Sequence, residues 1–305
     1  MLEGVCDLSI PGTTYHPLST FFSAWGSEEL DGRRFSFWHA GDGLVLDRKA
    51  FDEWLVGSAE AAGVTLLRGF CLTGARRSKA KWLLTGLIDG EEQALLADFV
   101  VEATGRTAQS VIQPDIRRFF TDRLVCLSVE LPGQSERDHF AMVESCSVGW
   151  WYTVQLPGGR RIVSLFTDGD LVKAAGPRLS WLKAELSSTS HIRQLAEFFP
   201  EDATSQVCDA RTSVRNVLWR NTWMSIGDAA WSLDPLSGAG IERAVSDGID
   251  AGTAISQSLT SGNSEPLRSH AVSRANSFRE SLAIQRQYYS VEQRWGDTVF
   301  WRRRV

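Results

Sequence analysis

At 305 residues, 43% of them hydrophobic and 23% charged, the chain has the composition of a globular protein with room for one large or two ordinary domains and a substantial core. A formal net charge of −5 excludes a nucleic-acid surface, since the one basic run is Arg302-Arg303-Arg304, which reads as a solvated end. The five cysteines, at positions 6, 71, 126, 146 and 208, form no Cys-x-x-Cys and have no histidine at metal spacing, so free thiols are expected and no disulfide framework or metal site is. Free thiols suit a reducing cytoplasm. No signal peptide and no apolar run of membrane-spanning length is present, so the expectation is a cytoplasmic chain that engages neither membrane nor nucleic acid. Packing accounts for most of the 12 tryptophans, although several could line an apolar cavity.

In chain order, the first 40 residues carry Pro11-Gly12, Trp25-Gly26 and the aromatic run Phe35, Phe37 and Trp38, none of which looks like the start of a doubly wound fold. Gly41-Asp42-Gly43 signals a turn. Asp47 is placed to cap a helix running to about Ala62, with Phe51, Leu55, Ala59 and Ala62 on one face and Gly63 ending it. Strands follow over 64–67, 70–74, 81–87 and 94–101, the last apolar enough to be buried. Alternating segments at 124–131, 140–144, 150–156 and 161–166 predict a β meander. Helices are expected at about 177–187 and 192–198, a strand near 205–213, and one long helix from Pro266 to about Trp295.

The most informative stretch is 223–244. An apolar strand, Trp223 to Ile226, delivers the carboxylate of Asp228 at its end, and a loop stiffened by Pro235 leads to a helix that opens on Gly238-Ala239-Gly240-Ile241. Apolar residues then recur at helical period through 259. A carboxylate at a strand end can hold a sugar-like hydroxyl. Glycines at a helix start let backbone N–H groups approach a ligand, and the helix dipole favours negative charge there. An ordinary strand, loop and helix of any α/β protein is the alternative reading.

Gly227-Asp228-Ala229-Ala230, Asp234-Pro235 and Gly238-Ala239-Gly240 resemble the second flavin motif of FAD-dependent aromatic hydroxylases of the p-hydroxybenzoate hydroxylase type and their tryptophan-halogenase-like relatives. The resemblance implies that Asp228 holds the ribityl chain of FAD and that Pro235, Gly238, Ala239, Gly240 and Ile241 face the pyrimidine edge of the flavin. Glu102-Ala103-Thr104-Gly105-Arg106 resembles the turn this family places beneath the cofactor. Leu46-Asp47-Arg48 with Phe51-Asp52 resembles its arginine-bearing helix start, which implies that Arg48 reaches FAD; by itself Arg48 reads as a surface charge. Trp150-Trp151-Tyr152-Thr153 falls where halogenases carry Trp-x-Trp-x-Ile-Pro and matches that pattern poorly, so halogenation is not expected.

The family begins with a strand, a Gly-x-Gly-x-x-Gly turn and a helix that set amides against the pyrophosphate, and this sequence contains no such unit. The expected fold is therefore α/β, an incomplete FAD-binding doubly wound domain (1–105 and 215–262) with an inserted antiparallel β-sheet substrate domain (106–214) and a C-terminal helix (263–305). The resemblance implies an FAD-dependent monooxygenase that uses NAD(P)H as reductant and hydroxylates an aromatic small molecule or a protein side chain. Within the group, Trp150-Trp151-Tyr152, Leu156-Pro157-Gly158-Gly159 and Thr167-Asp168-Gly169-Asp170 look most like the branch that assists quinone-cofactor formation. The other expectation is a non-catalytic, truncated remnant that binds a partner or apolar ligand without flavin. No general base can be named, because the five histidines, 16, 39, 139, 191 and 270, are isolated in the sequence.

Overall fold

The computed structural model describes residues 10–35, 43–106, 109–133, 138–196, 199–200 and 203–304. Cys6, Phe37, Trp38, His39, the Gly41-Asp42 half of the expected turn and the last residues of the expected helix at 192–198 lie outside them. The chain divides into two units, one made of Met1–Ala59, Arg123–Ala210 and Ile284–Val305, the other of Glu60–Asp122 and Arg211–Ala283. Residues 1–59, which the sequence reading grouped with the cofactor domain, thus share a unit with the meander.

The first unit is built on a seven-stranded sheet. Its order is Ser205–Asp209, Leu124–Leu131, Arg161–Asp168, Gly149–Gln155, Phe140–Cys146, Thr20–Ala24 and Asp31–Arg34. All neighbours are antiparallel except Phe140–Cys146 with Thr20–Ala24, which are parallel. Alternation puts Leu127, Val129, Trp151, Val163 and Leu165 on one face, where they meet Leu182, Leu186 and Ile192 of the helices Arg178–Ser187 and Ile192–Leu195. Trp150 points the other way, stacks on Phe166 at 3.9 Å and donates its Nε1–H to the Tyr289 hydroxyl at 2.8 Å. The tryptophans at the halogenase-like position are therefore sheet packing.

Asp47 caps the helix Arg48–Ala61 as expected, its Oδ1 accepting from the Ala50 N–H at 3.1 Å. The expected solvated end holds for Arg302, which is exposed, and is corrected for Arg303 and Arg304, which are tied down. Phe300 and Trp301 are fully buried, and Arg303 and Arg304 bond Asp168, itself 1% exposed, at 2.7 and 2.6 Å. Trp301 anchors the segment by donating to the Cys146 carbonyl at 2.8 Å.

The second unit holds three three-stranded sheets. Cys71–Ser78, Lys81–Ile88 and Glu91–Ala97 form an antiparallel one; Arg118–Phe120, Ser213–Arg215 and Trp231–Ser232 form another. In the third, Val100–Glu102 runs parallel to Trp223–Ser225, which pairs with Trp219–Arg220. The strand expected at 94–101 is two, broken at Asp98-Phe99. The strand expected at 64–67 is not one: flanked by left-handed Gly63 and Gly69, it leaves Val64, Leu66 and Leu67 exposed with no neighbouring strand. The helix Gly240–Ser261 and the part of Glu265–Val291 up to Ala283 complete the unit. Among the described residues no helix is long and apolar enough to cross a membrane.

Trp151 sits at 0% exposure in the sheet core with its indole N–H unpartnered. Trp151→Ala is expected to cost about 3–5 kcal/mol of stability in urea unfolding, whereas Trp151→Phe, which keeps most of the volume and removes the stranded donor, costs well under half as much.

Candidate functional site

Two parallel strands of the second unit end side by side, one on an acid and the other three residues short of one. Val100–Glu102 closes on Glu102, which is 2% exposed. Its carboxylate accepts from Arg215 Nη2 at 2.6 Å, Ser110 Oγ at 2.5 Å, Trp223 Nε1 at 3.2 Å and Thr104 Oγ1 at 3.3 Å, while its carbonyl accepts from the Ile226 N–H at 3.1 Å. Burial pushes the Glu102 carboxyl up, but the bonds from Arg215, Ser110 and Trp223 outweigh it and hold the group below the usual carboxylate range. Behind it, Arg118 is pulled down to about 10 by burial and by the Arg215 charge, and it donates to the Ala229 carbonyl at 2.6 Å and Ser213 Oγ at 2.8 Å.

The neighbouring strand, Trp223–Ser225, leads through Ile226 into the single helical turn Gly227–Ala230. Gly227 has φ +54, which a side chain resists, and its N–H donates to the buried Asp247 carboxylate at 2.6 Å. His270 Nε2–H donates to the Asp247 carboxylate at 2.9 Å, and Arg274 lies 3.4 Å from it, so this isolated-looking histidine is a partnered interior residue. The turn aims Asp228 outward. Its Oδ2 meets Arg106 Nε at 3.2 Å, its Oδ1 meets Arg243 Nη2, and its side chain remains 30% exposed. Arg106 is fixed further by the carbonyls of Arg211, at 3.0 Å, and Leu233, at 2.9 Å, and Arg243 lies 4.0 Å over the Trp231 ring.

Past Trp231–Ser232, Asp234 accepts from the Leu236 N–H at 2.8 Å and caps a 3-10 turn, Pro235–Ser237. Gly238 is left-handed at φ +64. Ala239 then starts the helix Gly240–Ser261 with no side chain to cap it, so the first amides of a 22-residue helix face solvent. Apart from the adjoining residues and the helix's own backbone, no atom of the described residues lies within 4 Å of where a Cβ on Gly238 or Gly240 would be, which leaves open space over both.

Asp228 and the 235–241 turn thus belong to one unit and one continuous stretch, and Arg243 of the helix reaches back to the acid. Arg48 belongs to the other unit, where its guanidinium pairs with Asp52 one turn on, at 3.2 Å and 64% exposed. Sequence reasoning missed the pairing of Arg106 and Arg243 with Asp228. The signal was the arginine ending Glu102-Ala103-Thr104-Gly105-Arg106 and the one three residues into the glycine-led helix. Among the described residues no three His, Cys, Asp or Glu side chains are grouped as a metal site.

A strand-end carboxylate beside uncapped helix amides and open space fits the ribityl and pyrimidine end of a flavin, and the class this defines is an FAD-dependent oxidoreductase of mixed α/β fold. The tryptophan halogenase family profile matches residues 42–304, and the chain belongs to that family. It is 26% identical, over 92% of its length and 76% of the relative, to a protein named putative FAD-dependent oxidoreductase LodB of Marinomonas mediterranea. Its fold is similar to that of QhpG, described as a peptidyl tryptophan dihydroxylase essential for tryptophylquinone cofactor biogenesis, with TM-score 0.75 and 24% identity over 99% of this chain and 68% of that one. The myxobacterial chondrochloren halogenase CndH, described as an FAD-dependent halogenase, matches with TM-score 0.80 and 17% identity over 95% of this chain and 71% of its own.

The Glu102–Arg215 pair sets a pH dependence whose sign is fixed. A carboxyl held below its unfolded value stabilises the fold above that value and loses the contribution as pH falls through the folded one. Arg215→Ala removes the strongest downward bond and leaves burial dominant, so the variant should lose about 3–5 kcal/mol at neutral pH and recover part of it on mild acidification, the reverse of the native protein, in urea unfolding across pH.

Proposed function

We propose that the chain is an FAD-dependent monooxygenase that hydroxylates an aromatic substrate, with the tryptophan side chain of a partner protein undergoing quinone-cofactor formation as that substrate and NAD(P)H as the reductant. The observation that carries the flavin part is the placement of Asp228 and the uncapped start of Gly240–Ser261 in one turn. Support for the protein substrate is the fold similarity to the peptidyl tryptophan dihydroxylase, together with the departure of Trp150-Trp151-Tyr152-Thr153 from the halogenase pattern, while the similarity to LodB supports the FAD-dependent oxidoreductase reading.

Bound FAD supplies two-electron chemistry with O₂ and the transfer of oxygen to an aromatic ring. The chain's own residues do the rest. Asp228 offers more acceptor sites than its two arginines fill, so it can take ribityl hydroxyls while Arg106 and Arg243 hold its orientation. The amides at Gly240 and Ile241 and the positive helix end would stabilise negative charge on a flavin held there. Gly238 and Gly240 keep that approach free of side chains.

A second reading keeps a specific observation. Both oxygens of Asp228 are already ion-paired, which suits a chain that binds a partner or an apolar ligand without flavin. One experiment separates the two. The protein, supplied with FAD, NAD(P)H and air, is incubated with a tryptophan-containing partner polypeptide, and the products are read by mass spectrometry. A gain of one or two oxygen atoms on tryptophan, lost in Asp228→Asn, is the expected result; a colourless protein and an unchanged polypeptide would establish the second reading.

A further inference from the structure

Cys126 and Cys208 stand directly opposite one another on the antiparallel strands Leu124–Leu131 and Ser205–Asp209. Residues opposite one another in such a ladder project to the same face. The Ala210 N–H donates to the Leu124 carbonyl at 3.2 Å, which makes 124 with 210 a hydrogen-bonded pair; alternation by two places 126 with 208 in the same class. Such pairs have Cα atoms about 5.5 Å apart. That is inside the range of about 4.4–6.8 Å that a disulfide spans, and closing the bond draws the two Cβ atoms together from the wider spacing of a hydrogen-bonded pair, which the outermost strand of the sheet can follow.

The surroundings give the two thiols different parts. Cys208 lies on the outermost strand of the seven and is exposed. Cys126 is half-buried, 3.1 Å from Ser128 Oγ, which in turn is 2.7 Å from Ser164 Oγ. Burial pushes the Cys126 thiol up, and the hydrogen bonds from Ser128 and Ser164 only partly offset this, so it is the slower nucleophile. The other described cysteines lack such a partner. Cys71 is exposed but faces Leu87, and Cys146 is buried with its thiol pushed up to about 12 by that burial.

We infer that Cys126 and Cys208 form a reversible oxidative modification site, closed by hydrogen peroxide into a cross-strand disulfide and reopened by thiols. The Cys208 thiolate attacks peroxide, the O–O bond breaks, and Cys208 becomes a sulfenic acid as one water leaves. The Cys126 thiolate then attacks the Cys208 sulfur, the S–O bond breaks, and the hydroxide leaves as a second water with the remaining proton. Two thiols lose two electrons and two protons, and one peroxide becomes two waters. The bond fastens the outermost strand Ser205–Asp209 to its neighbour Leu124–Leu131. These are also the strands by which the chain enters this unit, at Arg123, and leaves it, at Ala210.

The test uses the whole 305-residue chain, folded, with near-stoichiometric hydrogen peroxide, alkylation of remaining thiols and peptide mass spectrometry. The expected product is a peptide pair joined through Cys126 and Cys208, lighter by two hydrogens, which dithiothreitol separates, while Cys71 in the same sample runs on to sulfinic acid. In Cys126→Ser, Cys208 should be trapped by dimedone as the sulfenic acid and reach sulfinic acid about tenfold faster than in the native chain. Urea unfolding supplies a second readout, with the oxidised native chain showing a higher midpoint that dithiothreitol reverses and that Cys208→Ser never shows. If Cys208 accumulates as sulfinic acid or in disulfides between chains at the dose that oxidises Cys71, with no 126–208 link, the inference is overturned.

Discussion

The end of one short buried strand sets the geometry of the second unit. Glu102 carries a charge at 2% exposure, tolerable only because Arg215, Ser110, Trp223 and Thr104 satisfy it from four places in the chain. Those bonds bring Thr104, Ser110, the strand Ser213–Arg215 and the strand Trp223–Ser225 to one point. Trp223–Ser225 is thereby held parallel beside Val100–Glu102, and the next residues emerge as the turn that presents Asp228. A second buried acid repeats the device: Asp247 takes the Gly227 N–H, and His270 and Arg274 hold Asp247 in place.

Two interior carboxylates thus position an outer one. The outer acid differs from them in exposure and in role. Asp228 stays 30% exposed between Arg106 and Arg243, with acceptor capacity to spare, and the uncapped amides of Gly240–Ser261 follow within the same stretch. A side chain capping that helix would have satisfied the amides internally. Ala239 cannot, so no side chain caps them.

Legibility in the sequence followed the range of the interaction. The meander strands and the helix after Asp47 were readable because alternation and capping act between residues a few positions apart. Val64 to Leu67 has the composition of a strand yet remains an exposed connection, because strand preference needs a partner across the ladder and none is supplied. The parallel pairing of Thr20–Ala24 with Phe140–Cys146 joins segments far apart in the chain and left no local mark. Nor did the docking of Arg303 and Arg304 on Asp168, which made a basic tail look solvated. In the site, Asp228 and the glycine-led turn were visible as types at a spacing. The arginines that grip Asp228 were not, since only the fold decides which of many charges face one another.

The central claim is that the Asp228 turn and the start of the helix Gly240–Ser261 together bind the ring and sugar-alcohol end of a flavin. Riboflavin carries that end without a pyrophosphate, so a fluorescence-quenching titration of riboflavin with the native chain and with Gly240→Val tests the claim most directly. Saturable quenching by the native chain, weakened about tenfold or more by the side chain placed over the helix start, is the predicted result. No quenching by a folded native chain, or equal quenching by both proteins, would contradict the account.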